Sequence, residues 1–270
     1  MTEILPGINN LDLFGIGNGI NSSLSEIEEW LKGMEYPWTA LRNLDDFVAK
    51  IIQKKKDFTE DNKGLFPFGI RPFCEEKCFP EPYCFVEGFV YFGESTKVEA
   101  LSHYTKDVIF GKNCTIESGC KITGPAVFGD NVHLHHGVTI TGCSKNGPKS
   151  VLVGNNVNIY PHAVVKASII MDGANIYSGS YVPISIVGPN ARVGSQNSLD
   201  DIKTNDNQSR SIVIHYKLES LATELTRMGT IIGANTKLES GVTADPGTIV
   251  APNKTIPRGE TIRGIIGLEK

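Results

Sequence analysis

Residues 111–142 read GKNCTIESGCKITGPAVFGDNVHLHHGVTITG, and this stretch decides the fold. Within it Ile116, Ile122, Phe128, Leu134 and Ile140 stand six positions apart. Working back towards the N-terminus, the same spacing passes through Phe110, Tyr104, Val98 and Phe92 to Val86. Towards the C-terminus it resumes after an interruption at 141–152 with Val153, Ile159 and Val165. It slips by one residue to Ile170, Ile176 and Val182, and again to Val187, Val193 and Leu199. After a longer interruption at about 200–230 the last run is Ile232, Leu238, Ala244, Val250, Ile256 and Ile262. A short fixed period of this kind marks a parallel β-helix, in which each hexad supplies a strand and a turn. Three hexads make one triangular coil of about 18 residues.

A second column lies four residues after the anchors: Cys114, Cys120, Ala126, Val132, Val138, Val157, Ala163, Ile169, Ala191, Thr236, Val242 and Thr248. One bulky and one small inward residue per hexad suit the side and the corner of a narrow prism. Gly129-Asp130-Asn131, Gly154-Asn155-Asn156 and Gly233-Ala234-Asn235 supply corner residues that tolerate positive φ. The expected fold is mainly β: a single-stranded left-handed parallel β-helix of hexapeptide repeats over residues 86–270, with an inserted loop at about 200–230. Residues 1–85 form a small helical and irregular N-terminal segment and connector.

In that segment Ser25-Glu26-Ile27-Glu28 has the composition of a helix start, with Ser25 as N-cap. Leu44, Phe47, Val48, Ile51 and Ile52 fit one apolar helix face that ends at Lys54-Lys55-Lys56, read as a solvated basic terminus. A short helix is expected through Leu218, Leu221 and Leu225. The loop before it carries Lys203, Asn205, Asp206, Asn207 and Arg210, and long loops ejected from a solenoid tend to carry function.

The 270 residues are 40% hydrophobic and 21% charged with 28 glycines, which suits a globular chain that buries a core. A net charge of −4 argues against nucleic-acid binding. There is no long apolar run and no basic leader, so neither a membrane span nor a signal peptide is expected. Six cysteines without a secretory signal point to reduced thiols and a cytoplasmic location.

Polar chemistry gathers at outward or corner positions: His133, His135, His136, His162, Lys166, Ser178, Tyr181, Asp200 and Asp201. Acyl transfer from a thioester to an amine needs a base for the amine proton and a donor for the oxyanion. Histidine is the usual base, and His135 and His136 precede Gly137 at a corner that substrate can reach. No metal is expected, because His135, His136 and His162 lack the paired spacing of zinc-binding β-helix enzymes. Cys74, Cys78 and Cys84 are loosely spaced and lack a fourth ligand, while Cys114 and Cys120 read as packing. Gly15-Ile16-Gly17-Asn18-Gly19 follows no strand and precedes no lysine, so it reads as a turn and not a phosphate loop.

Tyr36-Pro-Trp-Thr-Ala-Leu, Val165-Lys-Ala-Ser-Ile-Ile-Met-Asp, Gly179-Ser-Tyr-Val and Met228-Gly-Thr-Ile-Ile-Gly carry a resemblance. They resemble the β-helix acetyltransferase half of bifunctional enzymes, namely sugar-1-phosphate nucleotidylyltransferases fused to a glucosamine-1-phosphate N-acetyltransferase. The nucleotidylyltransferase domain has no counterpart in this sequence, so nucleotidyl transfer is not expected. The resemblance implies that Lys166 meets the sugar phosphate and Tyr181 the sugar. It places Ser178 where the family has its basic histidine, His135 where it has an arginine clamp, and Asp201 near a polar asparagine. Serine does not act as a base at neutral pH without help, and losing an arginine fork weakens phosphate recognition. A homotrimer is implied, with acetyl-CoA bound near Ser195 and Ser240 in a groove between prisms.

Three functions follow from this mixture. One is an acyltransferase on an amino-sugar phosphate such as glucosamine-1-phosphate, with a displaced base among His135 and His136, serving nucleotide-sugar synthesis. Another is a catalytically silent trimeric scaffold or regulatory partner of a separate nucleotidylyltransferase. The last is an acyltransferase on a different acceptor.

Overall fold

The computed structural model describes residues 13–14, 25–61, 73–74, 79–80, 84–142, 147–203 and 211–268. The glycine-rich turn at 15–19, Cys78, the polar residues at 205–210 and the Ser25 side chain lie outside them. The hexads fold as read, into a left-handed β-helix whose three faces are parallel sheets. Among the described residues face I has ten strands, and faces II and III have nine each. Every strand pairs with the equivalent strand one coil away, so that Ile140 lies beside Val165 and Val165 beside Val182. Strands Phe73–Cys74 and Phe79–Pro80 already join faces I and II, which extends the sheets ahead of residue 86.

The anchors meet inside the prism. Phe92, Phe110 and Phe128 stack along face I with ring centroids 5.4 and 4.3 Å apart. Burying each such side chain contributes about 1.5–3 kcal/mol. Cys114, Cys120, Val138, Ala163 and Val242 fill the interior beside them. Asparagines at 131, 156, 190, 235 and 253 hold positive φ at one corner, and Asn131 Nδ2 donates to Asn156 Oδ1 at 3.2 Å. Asparagine is one of the few L residues that visit this region routinely.

Faces II and III alternate apolar-in and polar-out, but face I is apolar on both sides. Its outward residues Tyr91, Ile109, Val127, Leu152, Ile186 and Ile231 are buried under other chain. Ile169 belongs to this outer layer and not to the inward small-residue column expected for it. The one-residue slip after Val165 passes the corner position to Ser168 instead.

The cover comes from the N-terminal helices and the loop near 200–230. Helix α1 spans Ser25–Lys32 and helix α2 spans Pro37–Asp61. Proline suits the first position of α2, where its missing N–H costs nothing. The α2 side chains Trp38, Leu41, Leu44, Val48 and Ile52 are buried against face I. The helix runs past the three lysines, which were expected to end it. Lys56 Nζ meets Asp107 Oδ2 at 2.8 Å, and Lys55 Nζ lies 3.8 Å from the centre of the Tyr91 ring. Two of the three therefore clamp α2 onto the prism. Asp45 Oδ1 accepts the amides of Lys149 and Ser150 at 2.8 and 2.9 Å, tying down the first interruption.

The expected helix through Leu218, Leu221 and Leu225 is instead an antiparallel hairpin, Val213–Tyr216 with Glu219–Ala222. Alternation in Val213-Ile214-His215-Tyr216 puts Ile214 and Tyr216 on the buried side. The leucine spacing is incidental to it, and Leu218 sits exposed at the turn. Both interruptions leave between face III and face I, so among the described residues neither insertion leaves from the corner between faces II and III.

Candidate functional site

The corner between faces II and III carries the polar chemistry. The carbonyls of His136, Pro161, Ser178, Ser195 and Ser240 form one column. Each accepts the amide of the corner residue one coil on, from His162, Gly179, Gln196, Gly241 and Gly259, at 2.9–3.2 Å. His136, Ser178, Ser195 and Ser240, chosen from sequence, thus stand along a single edge. His135 lies in the adjoining column. Ser195 and Ser240, together with Tyr177, Arg192, Lys237 and Glu239, line a hollow of about 240 Å³ on that edge.

At the top of the edge Glu117 gathers three histidines. His133 Nε2 lies 2.7 Å from Glu117 Oε1, and His135 Nδ1 lies 3.0 Å from the same oxygen. The other oxygen, Oε2, accepts the His136 amide at 3.0 Å and lies 3.6 Å from His136 Nδ1. Strand geometry dictates this convergence. His133 and His135 are two apart and share the outer side, while pairing of Ile116 with Leu134 brings Glu117 beside His135.

Half-burial works against charge on Glu117, but the hydrogen bonds from His133 and the His136 amide, with the nearby imidazoles, outweigh it. Its carboxyl is held below the usual range. Half-burial, joined by His133, lowers His135 despite Glu117.

A ladder of rings continues down the edge. His133 stacks on His135 at 3.9 Å, His135 on Tyr160 at 4.7 Å, and Tyr160 on Tyr177 at 4.7 Å. His136 is the more open of the adjacent pair, with 55% of its side chain exposed against 22% for His135. It meets the His162 ring edge-on at 5.1 Å. Glycine suits this corner, although His162 and Gln196 make the same turn one and three coils on, each with φ 59°. The φ of Gly137 is +68°, and an added Cβ would stand 2.5 Å from His162 Nδ1.

The remaining candidates lie off this edge to different degrees. Tyr181 opens the face III strand that follows Ser178 and Gly179, and its outward column includes Val164 and Ser198. Lys166 also points out of face III, one coil earlier and at the far end of its strand, beside Pro183. Asp201 is buried near the opposite corner, where Arg227 Nη2 and Nε meet its Oδ2 at 2.6 and 2.9 Å. That carboxylate anchors the hairpin loop and does not join the other candidates.

Residues not singled out from sequence also belong to the site. Glu117 precedes His135 by one 18-residue coil, so its place was readable from the period. Tyr160 and Tyr177 follow at the same step of later coils. Cys114 and Cys120 are interior thiols: burial pushes them up to about 11 and about 12, out of the reactive range. Among the described residues no helix is long and apolar enough to cross a membrane.

No curated protein sequence gives a significant match. Among solved structures, the crystal structure of the polySia specific acetyltransferase NeuO is 13% identical, spanning 71% of this chain and 80% of that one with a TM-score of 0.21. That likeness is too distant to bear on function. Residues 130–266, just over half of the chain, match the family model described as the GMPPB C-terminal domain, and the chain belongs to that family.

Proposed function

We infer that the chain is an acyl-CoA-dependent acyltransferase, with acetyl-CoA as donor and an amino-sugar phosphate such as glucosamine-1-phosphate as acceptor. The observation that carries this reading is the alignment of His136, Ser178, Ser195 and Ser240 along one open edge, above the hollow at Ser195 and Ser240. The donor lies along the lower part of that edge, with Arg192 and Lys237 facing its phosphates. The acceptor lies near His136 and Tyr181, and Lys166 reaches its phosphate from face III.

His136 is the better base of the pair. His135 is held between two rings and bonded to Glu117, whereas His136 is open and has Glu117 Oε2 3.6 Å from Nδ1. A carboxylate behind a histidine orients it and stabilises its protonated form. His136 takes the amine proton as nitrogen attacks the thioester carbonyl. The C–S bond then breaks and CoA leaves as the thiol, its sulfur taking the proton back from the His136 imidazolium. The protein acts as a cytoplasmic homotrimer, in which a neighbouring prism closes the donor groove.

Ser178, which the resemblance to the sugar-phosphate N-acetyltransferases places where they have their basic histidine, supports a second reading: a silent scaffold or regulatory partner of a separate nucleotidylyltransferase. Thiol release from acetyl-CoA with glucosamine-1-phosphate separates the two. The enzyme reading expects acceptor-dependent release that falls about 10²–10⁴-fold in His136→Ala. No release, with no thermal shift on adding CoA, leaves the scaffold. Lys166→Ala is expected to weaken sugar-phosphate binding, and unchanged binding would show that Lys166 is not in the pocket.

A further inference from the structure

We propose that Glu117, His133 and His135 form a binding site for one divalent transition ion of the zinc class, with an open coordination position facing the corner between faces II and III. Their ligand atoms all lie within 4.8 Å of one another. The set differs from the histidine trio weighed from sequence: the strand places two histidines, and the coil above supplies a carboxylate. It goes beyond acyl transfer and does not depend on it.

The donor set names the ion. Imidazole nitrogen with a single carboxylate suits Zn²⁺ and Co²⁺, whereas Mg²⁺ and Ca²⁺ prefer oxygen-rich shells. In a tetrahedral zinc site, bonds of about 2.0–2.2 Å set ligand atoms roughly 3.3 Å apart. The two nitrogens stand 2.7 and 3.0 Å from Glu117 Oε1, while the two rings stack at 3.9 Å and 19° from parallel, so one ring must turn out of the stack for both lone pairs to meet the ion.

Each ligand is already held from behind. The His136 amide fixes Glu117 Oε2 at 3.0 Å, which leaves Oε1 to face the histidines. Tyr160 backs the His135 ring on the side away from His133. Supports of this kind orient metal ligands and matter nearly as much as the ligands themselves. Side-chain exposures of 24, 34 and 22% for Glu117, His133 and His135 let an ion enter and leave the shell unclosed. Three protein ligands plus one open position is the arrangement that admits water or an oxygen of a bound molecule.

The test is titration of untagged, chelator-stripped full chain with Co²⁺, read as visible d–d absorption, followed by displacement with Zn²⁺. One equivalent per chain is expected, with no competition from excess Mg²⁺. His133→Ala and the near-isosteric Glu117→Gln should each weaken binding at least about 100-fold, more than the 10–100-fold typical of outer-shell changes. His103→Ala, at an exposed histidine two coils away from His135, should change nothing, and thermal melts establish that all three variants fold. Absence of a saturable signal overturns the site. So does binding that survives both ligand substitutions, or a thiolate charge-transfer band that places the ion on cysteine. Because the readout is binding, an inactive acyltransferase that still takes one cobalt sinks the acyl-transfer reading alone.

Discussion

Replacing Arg227 with methionine should destabilise the hairpin and the chain with it. Asp201 and Arg227 have side chains only 6 and 17% exposed, and both guanidinium contacts fall on one oxygen. Removing one member of a buried pair leaves the other charge without compensation, at a cost of about 3–5 kcal/mol. Arg227 retains some access to water, so the lower end, about 3 kcal/mol, is expected. For a chain of this size each kcal/mol moves Tm by about 2–4 °C, which predicts a fall of roughly 6–12 °C. Methionine keeps most of the apolar stem, so the loss reports charge more than volume. Hydrogen exchange should locate the damage first in Val213–Tyr216 and Glu219–Ala222. In an Asp201→Asn background the same Arg227→Met change should cost markedly less, because no buried carboxylate is left stranded. An equal cost in both backgrounds, or a fall within about 0.5 kcal/mol of none, would refute the reasoning and release Asp201 for another role.

Phe110→Ala removes the middle of the Phe92–Phe110–Phe128 stack and should cost about 3–5 kcal/mol by denaturant unfolding; a cost under about 1 kcal/mol would mean the stack is dispensable. Cys114 and Cys120 should resist alkylation at pH 8 until the chain unfolds, since burial raises their thiols to about 11 and about 12. The folded values lie above the unfolded ones, so the stability they contribute is complete below about pH 9 and declines as pH rises towards 12. A melting temperature unchanged over that range would contradict it. Gly137→Ala should lower Tm, because alanine must take φ +68° and push His162 aside; an unaffected melt would mean the corner relaxes freely.

The prism was legible because its period is strict. The six-residue anchors from Val86 to Ile262, joined from Cys114 by a second column, hold through two one-residue slips and two interruptions and leave little else to fold into. Face I was equally visible in principle: Val90-Tyr91-Phe92, Val108-Ile109-Phe110 and Val151-Leu152-Val153 are apolar at every position, the mark of a strand buried on both faces. Counting only the six-residue anchors passes over Tyr91, Ile109 and Leu152, and with them the surface that α2 and the hairpin cover. The hairpin itself was obscured by leucines at 218, 221 and 225, whose spacing imitates a helix while the β-branched alternation just before them sets the structure.

The site divides in the same way. Gly137 marks the corner at which His135 and His136 stand, and His136, Ser178, Ser195 and Ser240 share that edge. Glu117 lay one full coil upstream, in a residue type that occurs everywhere on solvated faces, so only the register brings it to the histidines. Tyr160 is further hidden by the insertion near 143–150, which lengthens the step from His135 to 25 residues. Asp201 shows the opposite limit. Its partner Arg227 stands 26 positions away, so nothing in the local sequence announces the buried pair.

The claim that the edge between faces II and III is the donor site is tested most directly by hydrogen exchange with and without CoA. Protection is predicted at 177–180, 194–197 and 239–242, with the hairpin and α2 unchanged. Protection confined to other coils, or none at saturating CoA, would contradict it.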